Sequence, residues 1–231
     1  MSIEPAKLRQ VSVFQNATDD DLKLIAQHAI ERSIEEGEFF FFQGDAAIYF
    51  YILTSGRAKL MQTSTAGQQV NLRTITEWQM FGALGAVRDN ATYPATAQAL
   101  EHSTALAVQS DYLRELMQTR PYLSIDLMKL MTTYIQEMQE RYRELATEKV
   151  ERRIAHALLR LTSQMGTKAP GGGIELTFTR QELAEMSGTT LYTVSRVLSE
   201  WEKLGFVEAG RERVSIRKPH ELVRISEGLD Q

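Results

Sequence analysis

The alternation of apolar and polar positions changes character along the chain, and its most regular stretch runs from about Tyr122 to Glu148. Apolar residues there fall at Met128, Met131, Ile135, Met138, Tyr142 and Leu145, with steps of three, four, three, four and three. That spacing is a heptad seam rather than a general amphipathic face. Leu127, Leu130 and Tyr134 widen the stripe on one flank, and the remaining positions are largely Thr, Gln, Glu, Arg and Lys. Pro121 fits the first turn, where its missing amide proton costs nothing. A helix of this length spans roughly 40 Å. So narrow a seam pairs most simply with a copy of itself, which predicts a parallel dimerisation helix that also joins two domains. The competing reading is a long helix buried in the core of one chain.

Upstream of the seam, residues 5–31 have the texture of short helices, and Asp19, Asp20 and Asp21 lead into an apolar stripe in the manner of a helix N-terminus. From Ser33 the period changes to that of strands. Short runs at Phe39–Phe42, Ile48–Leu53, Ala58–Met61, Val70–Ile75 and Thr104–Val108 are separated by Gly37, Gly44, Gly56, Ala66-Gly67 and Gly82. Short strands at this spacing predict a closed or sandwiched all-β domain, with a hairpin turning at Thr65-Ala66-Gly67. The stretch Phe81–Ala97 is rich in small residues, and Gly82, Ala83 and Gly85 permit close backbone approach. It reads either as a helix-turn lining a small-molecule pocket or as a tightly packed loop. For the pocket, Gly82, Ala83, Leu84, Tyr93, Pro94 and Thr96 are the candidate lining residues. A short helix over Asp111–Thr119, capped by Ser110 or Asp111, is expected next.

Downstream, Thr147 to about Gln164 is a further helix, ended by Gly166, and Ala169-Pro170-Gly171-Gly172-Gly173 is a surface connection. Leu176–Phe178 has the character of a short strand. Thr179-Arg180-Gln181-Glu182 then carries a capping-box pattern, Ser187-Gly188-Thr189 a tight turn, and Thr190–Leu204 a second helix with Val194, Val197, Leu198 and Trp201 inward. Two short helices around a Gly-bearing turn make a helix-turn-helix. Gly205–Ile216 follows as a β-hairpin wing. The outer face of the second helix presents Leu191, Tyr192, Ser195, Arg196 and Ser199, and Thr190 at its start is a further candidate for DNA contact. Arg211, Arg213, Arg217 and Lys218 are candidates for phosphate contacts, and Thr179 and Arg180 are further candidates for DNA contact.

Composition narrows the chemistry. The chain has 231 residues, 43% of them hydrophobic, which is enough for two domains. With no cysteine, disulfides, thiolate nucleophiles and cysteine-held clusters are excluded. The four histidines His28, His102, His156 and His220 form no pair at ligand spacing, so no metal and no cofactor is expected. No stretch resembles a secretory signal or a membrane span, so a cytoplasmic location is expected. The net charge of −4 is unevenly divided: residues 1–147 carry −5 and residues 148–231 carry +1. A near-neutral second half binds DNA if its basic groups share one face.

These features resemble the Crp/Fnr family, the bacterial regulators related to cyclic-AMP receptor protein and the fumarate-nitrate reduction regulator. Phe39 to about Val108 resembles the family's cyclic-nucleotide-binding-type β-roll, with Gly44 and Gly56 at turns. The long helix matches the dimer helix, and Phe178–Ile216 matches the winged helix-turn-helix, most recognisably at Thr193-Val194-Ser195-Arg196-Val197-Leu198. The resemblance implies an α+β chain with an N-terminal β-roll (jelly roll) sensor over 1–120, a dimerisation and linker helix over 121–147, and a C-terminal winged helix-turn-helix over 148–231. It also implies a homodimer that binds palindromic double-stranded DNA, an activator by family habit, touching RNA polymerase from surface loops.

Arg196 matches the family arginine that reads guanine, and Ser195 a position that supports base or phosphate contacts. Leu191 and Tyr192 depart from the arginine and glutamate of the cyclic-AMP receptor. In the sensor half, the family's Gly-Glu-Leu motif and its Arg-Ser pair read here as Gly82-Ala83-Leu84 and Tyr93-Pro94. Without that arginine the charge-assisted phosphate contact is lost, so no cyclic-AMP response is expected. The small-residue string looks more like the nitric-oxide-responsive, heme-associated branch, yet it offers no histidine ligand. The alternatives left open are a vestigial pocket with permanent DNA competence, an unidentified small-molecule effector, and a heme-linked response. An enzyme on a related barrel would need inward His or carboxylate groups at close spacing, which the strand runs lack.

Overall fold

The computed structural model describes residues 3–63, 69–169, 172–210 and 212–229. The chain divides into two compact units, Met1–Gln68 with Leu72–Glu137 and Gln69–Asn71 with Met138–Gln231.

In the first unit, two 3-10 turns (Pro5–Gln10 and Ser12–Phe14) lead into α1, Asp19–His28. Thr18 and Asp21 form a capping box at its start, the reciprocal arrangement that satisfies two helix-end donors. The strands follow in order: β1 Ile30–Ile34, β2 Phe39–Phe41, β3 Tyr49–Ser55, β4 Ala58–Thr63, β5 Gln69–Ile75, β6 Met80–Phe81, β7 Thr96–Ala99 and β8 Ser103–Gln109. A single helical turn, α2 Leu84–Val87, lies between β6 and β7. The strands form two four-stranded sheets, ordered β1-β8-β3-β6 and β2-β7-β4-β5. The crossed order, with β8 between β1 and β3, is a roll rather than a meander. Next come α3, Ser110–Thr119, and α4, Pro121–Thr147.

Two hydrophobic clusters hold this unit together. One joins Phe41, Tyr51, Phe81 and Tyr93 with Leu53, Ala97, Ala105 and Ala107 between the sheets. The other packs Leu8, Phe14, Leu22, Ile25, Phe50 and Leu106 against Leu113, Leu116, Leu123 and Leu127. The first part of α4 therefore rests on its own unit through Leu123 and Leu127, with Leu130 and Met131 at the margin. Arg73 of β5 lies 3.7 Å over the Tyr134 ring. Asp21 is buried beneath α4, accepting hydrogen bonds from Arg120 Nε at 2.8 Å and Tyr122 Oη at 2.6 Å.

In the second unit, α5 spans Val150–Met165, β9 Thr167–Lys168, β10 Ile174–Thr177, α6 Arg180–Ser187, α7 Leu191–Lys203, β11 Val207–Ala209, β12 Arg213–Ile216 and α8 Pro219–Glu227. Its sheet runs β11-β12-β10-β9, antiparallel throughout. One core gathers Ile154, Leu158 and Leu161 of α5 with Leu183, Val194, Leu198 and Trp201, closed by Leu222 and Ile225 of α8.

Several expectations need correction. Ile30 and Glu31 begin a strand instead of ending the helical stretch, because His28 closes α1 and residues 30–34 pair with β8. The helix over 110–119 is entered from Gln109 without a side-chain cap, and Ser110 Oγ donates instead to the Ala47 carbonyl at 2.8 Å. The helix expected from Thr147 begins at Val150, because α4 continues to Thr147. The proposed hairpin tip at Thr65-Ala66-Gly67 lies outside the described residues, as do Pro170, Gly171 and Arg211.

Candidate nucleic-acid interface and sensor roll

The helix-turn-helix is built by local chemistry that the sequence spells out. At the start of α6 the Glu182 amide donates to Thr179 Oγ1 at 3.1 Å and the Thr179 amide to Glu182 Oε2 at 2.6 Å. The helix ends at Gly188, whose backbone is left-handed with φ 61°, a region that L side chains enter only at a cost. A Cβ on Gly188 would also sit 2.5 Å from Leu145 Cδ2 of α4. Thr190 then caps α7 by accepting from the Thr193 amide. Arg153 of α5 pins the turn from behind, donating to the carbonyls of Ser187 at 3.0 Å and Gly188 at 3.2 Å.

With Val194, Val197, Leu198 and Trp201 buried, α7 turns its opposite side to solvent. Leu191 is 49% and Tyr192 78% exposed, Thr190 and Arg196 are exposed, and Ser195 is half-buried. Arg196 is not a free cation. Its Nη1 lies 3.0 Å from Glu200 Oε1 and its Nη2 3.3 Å from Glu151 Oε1 of α5, and these two hydrogen bonds raise its already high pKa. Thr179 is exposed, but its hydroxyl serves the capping box, and Arg180 is half-buried. In the wing, Arg213 is exposed, whereas Arg217 pairs with Glu208 across the hairpin and donates to the Gly172 carbonyl.

Where α4 gives way to α5, two carboxylates are buried. Glu144 accepts from Arg160 Nη1 at 2.6 Å, and Glu148 accepts from Arg143 Nη1 at 3.1 Å. His156 Nε2 stands 3.2 Å from the second oxygen of Glu148. Heptad analysis cannot find this network, because it scores Glu144 and Glu148 as surface positions. The pairing of i,i+4 charges from Glu148 to Arg152 was the one available signal.

Of the seam residues, Met128, Ile135, Met138, Tyr142 and Leu145 are exposed in the chain, with Ile135 at 51%, Met138 at 63% and Tyr142 at 75%. Met131 differs, since it packs against the core of its own unit.

The candidate effector-pocket residues do not share one wall. Ala83 joins the cluster beneath the helices, and Tyr93 joins the cluster between the sheets. Tyr93 stacks on Phe41 with ring centroids 3.7 Å apart. Its hydroxyl donates to the Tyr49 carbonyl at 2.6 Å, and burial raises its pKa. Gly82, at φ 73°, would place a Cβ 3.1 Å from Phe41 and 3.2 Å from Tyr93, so its missing side chain makes room for that stack. Thr96 accepts from the Gln43 amide at 3.0 Å, while Leu84 and Pro94 are exposed.

Among the described residues no helix is long and apolar enough to cross a membrane. A model of the cyclic nucleotide-binding domain matches residues 31–120, and a model of the Crp-like helix-turn-helix domain matches residues 152–225. The chain is 29% identical over 218 residues to the cyclic AMP receptor protein of Thermus thermophilus, covering 94% of this chain and 97% of that protein. It is 29% identical over 198 residues to the transcriptional activator protein anr of Pseudomonas aeruginosa, covering 85% of this chain and 80% of that one. Among solved structures, FixK2 of Bradyrhizobium japonicum superposes with a TM-score of 0.76 at 18% identity, over 85% of this chain and 96% of its own, a likeness of fold. The two matched modules, in this order and on either side of the long helix, place the chain in the Crp/Fnr family of DNA-binding transcription regulators.

Proposed function

We propose that the protein acts as a homodimer on palindromic DNA, inserting α7 of each protomer into successive major grooves. The observation that carries this reading is the outer face of α7, where Thr190, Leu191, Tyr192, Ser195 and Arg196 lie together on a helix held rigidly from its buried side. A major groove admits such a helix, and an arginine fork bonds guanine O6 and N7 together. Arg213, and Arg180 beside the capping box, are suited to phosphate contacts that set register. Tyr192 replaces a charged family residue, so the half-site differs from those of the named branches at the base pair it faces.

Dimerisation follows from the seam. Met128, Ile135, Met138, Tyr142 and Leu145 offer an uncovered apolar stripe, and each buried aliphatic or aromatic side chain contributes about 1.5–3 kcal/mol. The second units then turn about the break at Ala146–Lys149, and an effector acts by shifting the population of turned states. Activation through contact with RNA polymerase is the expected outcome at promoters, and action in the cytoplasm is expected with it.

Cyclic AMP is not the effector under this reading. The position of the phosphate-gripping arginine is held by Tyr93, a buried phenol committed to the Tyr49 backbone and stacked on Phe41. It offers no cation to a cyclic phosphate. The test is a fluorescence-anisotropy comparison of specific and non-specific duplexes. Arg196→Ala should leave the dimer intact and cut the specific-to-non-specific ratio roughly tenfold or more. An unchanged ratio removes the assignment.

A further inference from the structure

The described roll has an open cavity of about 220 Å³ lined by Arg32, Ile34, Phe40, Tyr49 and Tyr51, and Tyr93 of the Gly82–Thr96 stretch reaches its wall by donating to the Tyr49 carbonyl at 2.6 Å. The strand register explains how it forms. Arg32 of β1 faces Ala105 of β8, and Tyr51 of β3 faces Ala107. Residues paired across antiparallel strands point to the same side of a sheet, and Ala105, Ala107 and Tyr51 belong to the cluster between the sheets. Arg32, an exposed residue of an edge strand, thus stands on the side of the sheet that carries Ala105 and Tyr51, at the mouth of the cavity. Burial raises the Tyr51 pKa, its hydrogen bond with Tyr93 lowers it, and the nearby Arg32 charge lowers it further.

Among the described residues, Arg32 makes no ion pair or hydrogen bond through its guanidinium, and the Tyr49 hydroxyl has no partner either. Arg32 and Tyr49 therefore line one space, walled also by the Phe40 and Tyr51 rings, which meet edge to face 5.7 Å apart, and by Ile34. We propose that this cavity is a binding site for a small aromatic carboxylate, its carboxylate on Arg32 and the Tyr49 hydroxyl and its ring against Phe40, Ile34 and Tyr51. A guanidinium fork matches the two carboxylate oxygens. The volume sets the size of the ligand. It falls below the roughly 300–1,000 Å³ of drug-sized sites, so a single substituted ring fits and a nucleotide does not.

The site does not depend on how the second unit reads DNA. The competing explanation is that a charge on an edge strand deters edge-to-edge pairing, and it requires no ligand. Calorimetric titration of the purified full-length chain with benzoate, benzamide and butyrate separates the two. The proposal expects saturable binding of benzoate at one site per chain, with benzamide and butyrate at least roughly tenfold weaker. Arg32→Gln should abolish the preference for benzoate over benzamide, and Tyr49→Phe should weaken benzoate a few-fold, with far-ultraviolet circular dichroism unchanged in both. Failure of benzoate to saturate at millimolar concentration overturns the site. So does equal binding of benzoate and its neutral amide, or an Arg32→Gln chain that binds as the parent does.

Discussion

Nη2 of Arg196 lies 3.3 Å from Oε1 of Glu151, so the arginine at the centre of α7's outer face is tied to a carboxylate of α5. In the proposed complex, a guanine edge has to compete with that carboxylate and with Glu200. Exposed pairs of this kind are weak, so the competition is mild. Glu151→Gln should strengthen specific DNA binding roughly two- to five-fold, read by anisotropy at fixed salt. Unchanged or weaker binding would mean that Glu151 orients the arginine instead of withholding it.

The seam makes a second prediction. Ile135 and Met138 are one heptad step apart and both exposed, and neither belongs to the hydrophobic clusters of its own chain. Ile135→Lys with Met138→Lys should give a folded monomer by light scattering, with DNA affinity reduced to that of a single unit. A surviving dimer of the double variant would show that the interface lies elsewhere. Met131→Lys should behave differently, lowering the melting temperature as well, because Met131 packs on the core beneath α4.

A third prediction concerns the turn of the helix-turn-helix. Gly188 holds φ 61°, and a side chain there meets both backbone strain and Leu145. Gly188→Ala should destabilise the second unit by about 1–2 kcal/mol, measured by denaturant unfolding, and weaken DNA binding by mispositioning α7. A variant as stable as the parent would imply that the turn relaxes freely.

The dependence of stability on acid follows from Asp21. Burial alone would raise its pKa, but hydrogen bonds from Tyr122, Thr18 and Arg120 outweigh that and lower it from 3.8 to about 2. A depressed folded-state pKa means the stabilisation is fully present above the unfolded value and is lost as pH falls through the folded one. The melting temperature should therefore drop between about pH 4 and pH 2. Asp21→Asn should be less stable than the parent at pH 7, with the gap narrowing over that same acid range. A gap that stays constant with pH would contradict the assignment.

How much of this was legible beforehand depended on whether the deciding interaction was local. The capping box at Thr179, the turn at Gly188 and the buried face of α7 all act within a few residues, so spacing alone revealed them. The long helix was visible for the same reason, although its two flanks were not separated: Leu127, Leu130 and Met131 serve their own unit while Ile135 and Met138 stay uncovered. Strand β1 was hidden because its partner, β8, lies about seventy residues downstream. Helix α8 was hidden too, since its value lies in Leu222 and Ile225 closing a core assembled by α5 and α7. The candidate pocket rests on small-residue texture, and in the fold that texture serves the Phe41–Tyr93 stack. The register that puts Arg32 on the side of the sheet carrying Tyr51 belongs to the sheet and leaves no trace in local spacing.

The central claim is that two copies of α7 read one duplex together. Selection of binding sites from a random or genomic DNA pool by the purified protein tests it most directly. The account predicts an inverted repeat whose half-sites are centred about 10 base pairs apart, with a preferred guanine in each half that Arg196→Ala no longer selects. Enrichment of a single half-site, of direct repeats, or of no sequence at all would contradict it.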